Sequence, residues 1–77
     1  MAKAIILITS EPGRDREVAS KIKQIKGVEN VYLAAGRYDV VAEARAEDDA
    51  SMLSLAYDKV RVIKGIRETH TMFCLPV

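Results

Sequence analysis

Ile25-Lys26-Gly27 recurs as Ile63-Lys64-Gly65, 38 positions later, in a chain of 77 residues. The same offset carries Val18, Ile22 and Ile25 onto Ala56, Val60 and Ile63, so the apolar stripes of two helical segments coincide. Self-similarity at a fixed period points to one supersecondary unit used twice. A chain this short buries only about 60% of its unfolded surface, so a lone core is marginal, and with no disulfide or metal available a partner subunit is expected to compensate.

The flanking segments define the unit. Ala4-Ile-Ile-Leu-Ile-Thr9 is a short β-branched run that stops at the turn cluster Ser10-Glu-Pro-Gly13, and it reads as a strand. Its apolar residues do not alternate with polar ones, so both faces are expected to be covered. Arg14 to Lys26 has helical spacing, with Gly27 at the position of a C-terminal cap. Val28 to Ala35 reads as a second strand, Gly36-Arg37-Tyr38-Asp39 as a turn, and Val40 to Ala46 as a third strand. Asp48 is a good N-cap for a helix to about Lys64, with Met52, Ala56, Val60 and Ile63 on one stripe and Leu53 and Tyr57 beside it. Ile66 to Leu75 closes the chain as a fourth strand. Two βαβ copies folded into one antiparallel sheet, with both helices on one face, make a single α+β domain over residues 1–77 of ferredoxin-like βαββαβ type.

Function has to come from side chains, because this fold carries many activities. One cysteine, Cys74, excludes an internal disulfide and an iron–sulfur cluster, and one histidine, His70, does not complete a zinc site. No metal or other cofactor is expected. Twelve Lys and Arg against 11 Asp and Glu leave a net charge of +1, with no bias toward a polyanion such as nucleic acid. RNA recognition by stacking is disfavoured as well, since the central strands offer Ile5, Leu7, Val41, Glu43 and Arg45 without an aromatic residue. The early apolar run is too short for a membrane span or an export signal, and with a free thiol this points to the cytoplasm. Cys74 sits in an apolar context, and His70 has no nucleophile near it in sequence, so the chain is read as a non-enzyme.

The turn at 36–39 has two readings. A hairpin needs only glycine and a small polar residue, so Asp39 could be no more than a local acceptor. The same four residues also present an aromatic ring, a carboxylate and a guanidinium on permissive backbone. Asp39 suits an ammonium group, and Arg37 or backbone N–H groups suit a carboxylate.

Gly27-Val-Glu-Asn-Val-Tyr32, Gly36-Arg-Tyr-Asp-Val-Val41, Ile63-Lys-Gly-Ile66 and Thr69-His-Thr-Met-Phe73, in that order, resemble the effector-binding (RAM) domain of Lrp/AsnC-type regulators. The likeness covers about Ala4 to Leu75, and the Gly-x-Tyr-Asp turn entering an apolar strand is its most specific element. It implies a dimeric α+β barrel made by sheet-to-sheet packing, rings of such dimers, and an amino acid held between dimers. By position it places Gly36, Tyr38 and Asp39 at that pocket, Arg37 as the variable member, and Thr69 and Thr71 facing it. Regulators of this family carry an N-terminal helix-turn-helix, and nothing here precedes Met1-Ala2-Lys3. The expectation is therefore a stand-alone amino-acid-binding module that does not itself contact DNA and that co-assembles with a full-length regulator. The alternatives are a small barrel enzyme using Glu43 or His70, and a purely structural oligomer.

Two surface expectations complete the reading. Strand 1, apolar on both sides, should lie at the centre of a sheet-to-sheet contact, with Glu43 and Arg45 pairing across it or at its rim. Leu55 and Val62, which replace Glu17 and Gln24 at the 38-residue offset, should form a second contact stripe on helix 2 that joins dimers.

Overall fold

The computed structural model describes residues 1–77. Four strands, β1 (Ala2–Ser10), β2 (Val28–Leu33), β3 (Val40–Ala46) and β4 (Ile66–Cys74), form one antiparallel sheet in the order β2-β3-β1-β4. Helix α1 (Asp15–Lys23) packs over β2 and β3, and α2 (Asp49–Ser54) over β3 and β1. The order βαββαβ and the ferredoxin-like class are those expected.

The repeat is a structural fact. Exchanging β1 with β3 and β2 with β4 maps the sheet onto itself reversed. Ile25 N–H donates to the Ile22 carbonyl at 3.0 Å, and Ile63 N–H to the Val60 carbonyl at 3.1 Å, the same bond 38 residues on. Gly27 and Gly65 then adopt φ +101° and +97° to turn the chain into β2 and β4. Neither glycine caps its helix directly. Helix α1 ends at Lys23, three residues before the expected Lys26, and the glycine works in the following turn.

A side chain at Gly27 would meet two obstacles, since its Cβ would lie 2.9 Å from Leu55 Cδ1 and 3.0 Å from the Arg45 carbonyl oxygen. Together with the positive φ, Gly27→Ala is expected to destabilise the domain by about 1–3 kcal/mol. For a domain of this size that lowers Tm by about 4–8 °C per kcal/mol. Thermal unfolding followed by circular dichroism at fixed protein concentration checks it.

Alternate β1 residues Ala4, Ile6 and Ile8 point to the helices and are fully buried with Val18, Ile22, Val40, Met52 and Val60. Helix 2 departs from expectation at its second half. After Ser54 the chain continues as a π-helical segment, Leu55–Val60, in which Arg61 N–H donates to the Ala56 carbonyl five residues back at 3.0 Å. The wider turn brings Leu55, Ala56 and Val60 all inward. Leu55 is only 7% exposed, so it belongs to the domain's own core and the proposed Leu55–Val62 contact stripe does not exist. Val62 alone is on the surface.

The N-cap at Asp48 is as expected. Its carboxylate accepts from Ser51 N–H at 2.8 Å, which holds the carboxyl below the usual aspartate value of 3.8. A lowered folded value means that this contribution is complete above the unfolded pKa and is lost as pH falls through the folded one. Asp48→Asn keeps an acceptor that does not titrate in this range, so the acid limb of the stability curve should become shallower below about pH 4. Urea unfolding at stepped pH measures it.

The face of the sheet away from the helices carries Ile5 between Glu43 and Met72, and Leu7 between Val41 and His70. Ile5, Leu7 and Val41 are half-buried, while Met72 is 47% exposed, so this apolar centre has no cover within one chain. Glu43 and Arg45 lie on it but pair within the chain. Glu43 Oε1 accepts from the Tyr32 hydroxyl at 3.1 Å, which raises the Tyr32 pKa, and Arg45 Nε donates to Glu29 Oε2 at 3.0 Å.

Candidate functional site

The turn at 36–39 closes β2 onto β3 and reaches the end of β1. Asp39 is fixed from three directions. Its N–H donates to the Ile8 carbonyl at 2.9 Å, its carbonyl accepts from Ala34 N–H at 2.9 Å, and its Oδ2 accepts from Ser10 N–H at 2.8 Å. Ser10 Oγ stands 3.5 Å from the same oxygen. Asp39 is thus a structural acceptor, but for a residue 29 positions away and not, as the local reading had it, for its own turn. One carboxylate oxygen is committed to the fold; Oδ1 remains for another donor.

Tyr38 leaves the turn toward β4, where its ring meets that of His70 edge-on, centroids 5.9 Å apart at 73°. This geometry is favourable for an aromatic pair and gives both rings a defined orientation. Next to Ser10, Thr9 Oγ1 is buried without a hydrogen-bond partner. An unpaired buried hydroxyl costs about 1–3 kcal/mol unless something else satisfies it. Gly36, at φ +131°, has no neighbour within 4 Å of a would-be Cβ, so its backbone is open to approach, and Arg37 is exposed.

Six residues were expected at one pocket, and the single chain does not bring them together. Gly36, Arg37, Tyr38 and Asp39 share the corner beside Ser10 and His70. Thr69 and Thr71 pair with Ile8 and Ile6, the buried side of β1, and therefore lie on the helix-covered face, opposite His70. There they line a cavity of about 370 Å3 between β4 and the π-helical segment, with Tyr57, Arg61, Leu53 and Phe73. Three residues that shape these sites were not expected there from the sequence: Ser10, Tyr57 and Arg61. Ser10 gave no signal, because its bond to Asp39 is tertiary. Tyr57 and Arg61 did, since an i, i+4 aromatic–arginine pair is a helical neighbour pair, and the guanidinium carbon sits 4.8 Å over the Tyr57 ring.

The enzyme alternative rests on Glu43 and His70, which one chain does not bring together. Glu43 is engaged by Tyr32 and His70 by Tyr38, on strands separated by β1.

Comparison with known proteins identifies the family and the fold. A family model described as the Lrp/AsnC ligand binding domain matches residues 3–76. The uncharacterized HTH-type transcriptional regulator PH1916 of Pyrococcus horikoshii is 39% identical over 72 residues, covering 90% of this chain and 48% of its own length. The chain therefore spans about half the length of the curated relatives it matches. The crystal structure of FFRP-DM1 superposes with a TM-score of 0.92 at 27% identity, over 97% of this chain and 100% of that one. A transcriptional regulator from Neisseria meningitidis, solved as an L-Met complex, shares the fold at a TM-score of 0.85 and 18% identity, over 97% of this chain and 50% of its own. No helix of the chain is long and apolar enough to cross a membrane.

Proposed function

The chain belongs to the Lrp/AsnC ligand-binding domain family, whose matched relatives are transcriptional regulators, and on that premise we propose that it is an amino-acid effector-binding and assembly module. It acts in the cytoplasm without catalysing a reaction, by taking up a free amino acid and by changing its own assembly or that of a full-length regulator with which it associates.

The observation that carries this reading is the Asp39 carboxylate, pinned through one oxygen by Ser10 N–H with the other oxygen unengaged, in the turn whose Tyr38 ring is oriented by His70. A fixed carboxylate of this kind takes an ammonium group with little loss of side-chain entropy. The relative solved with L-Met is consistent with an amino acid as the ligand class. Thr69 and Thr71 lie on the helix-covered face, opposite His70 and the Tyr38 ring that meets it, so a pocket that uses them together with Tyr38 is completed by a second copy. The uncovered centre of Ile5, Leu7, Val41 and Met72 supplies the reason for copies to pair, sheet against sheet.

Thermal shift against a panel of L-amino acids tests the proposal. A ligand present at 100 times its Kd stabilises the bound form by about 2.7 kcal/mol, and Tm should rise by about 10–20 °C for a domain of this size. A panel in which every amino acid leaves Tm unchanged would favour the purely structural oligomer.

A further inference from the structure

The cavity between β4 and the π-helical segment contains one charged side chain, Arg61, and no carboxylate. The three ion pairs of the chain, Arg14–Glu17, Lys21–Glu17 and Arg45–Glu29, do not involve it. Its guanidinium lies over the Tyr57 ring instead, which orients the planar fork while leaving its N–H groups unused. Thr69 and Thr71 add two hydroxyls from alternate positions of β4, and Leu53 and Phe73 add an apolar wall, each a little under half exposed. At about 370 Å3 the space is at the small end of ligand sites.

We infer that Arg61 makes this cavity a site for a small carboxylate with an apolar body, and sets the ligand class by excluding cations. A guanidinium held flat on an aromatic ring matches a carboxylate through two parallel N–H···O bonds, and the hydroxyls fit its remaining lone pairs. A lysine or arginine side chain that takes the place of the apolar body in this cavity would bring its cation against the unneutralised guanidinium at close range. Identification of the carboxylate as an amino acid's rests on the effector-binding reading; the chemistry of the cavity does not. The carboxylate belongs either to the ligand's α-carbon or to its side chain.

The test is calorimetric titration of the parent protein, Arg61→Gln, Arg61→Lys and Asp39→Asn with L-leucine, L-leucinamide, L-glutamate, L-glutamine and L-lysine. The parent should bind at least one of leucine and glutamate, and L-lysine should not bind. Loss of leucine's binding in its amide assigns the α-carboxylate, and preference for glutamate over glutamine assigns the side chain. Arg61→Gln should weaken that binding about 10-fold or more, with Arg61→Lys only partly restoring it, since an ammonium has no fork. Affinity unchanged in Arg61→Gln but lost in Asp39→Asn overturns the role of Arg61 and leaves the Asp39 reading standing. Affinity lost in Arg61→Gln but unchanged in Asp39→Asn supports the Arg61 site and removes Asp39. No binding of any ligand by the parent overturns both.

Discussion

Leu7→Lys is expected to give a folded protein that no longer pairs. Leu7 sits at the middle of the uncovered sheet face, flanked by Val41 and His70 on the neighbouring strands. Burial of a leucine side chain contributes about 1.5–3 kcal/mol, and a two-fold contact buries it twice. Leu7 is already half-buried in one chain, which reduces the gain, while two lysines brought face to face add a desolvation cost. The net loss is about 2–4 kcal/mol, or ~30- to 1000-fold in the dimer dissociation constant. The core side of β1 is untouched, so circular dichroism should be unchanged while sedimentation velocity at micromolar concentration shows monomer. Parent protein that sediments as a monomer would remove the sheet-to-sheet dimer altogether.

Asp39→Asn is expected to abolish most amino-acid affinity and to keep the fold. The asparagine carbonyl can still accept from Ser10 N–H, so the tie between the turn and β1 survives. What disappears is the negative charge facing the ligand. A hydrogen bond to a charged group contributes about 1.5–3 kcal/mol, which is about 10- to 150-fold in affinity. Asp39→Ala removes the acceptor too and leaves the Ser10 N–H unpaired, so it should lower Tm where Asp39→Asn does not. Equal affinity in Asp39→Asn and the parent would show that the carboxylate serves the turn alone.

The fold was legible because its two halves announce one another. Val18 and Ile22 recur as Ala56 and Val60, and all four are buried. Residue spacing failed where the helix changed type. Leu55 follows Met52 by three residues and its N–H still bonds the Ser51 carbonyl as in an α-helix, which sets it beside the stripe, and the five-residue bond at Ala56–Arg61 then keeps Val60 on the same buried side. The candidate site was legible one turn at a time. Gly36 to Asp39 could be found as a local cluster, whereas the Ser10–Asp39 bond and the Tyr38–His70 contact are made by chain segments that only the tertiary fold brings together. The opposite placement of Thr69 and Thr71 from His70 follows from strand alternation and was available in the sequence.

Amino-acid recognition by the assembled protein is tested most directly by isothermal titration with each common L-amino acid, on samples whose assembly state has been established by sedimentation. The expected result is saturable heat from one amino acid or a few chemically similar ones, with the signal lost in Asp39→Asn and in the monomeric Leu7→Lys. Assembled parent protein that gives no heat with any amino acid would contradict it.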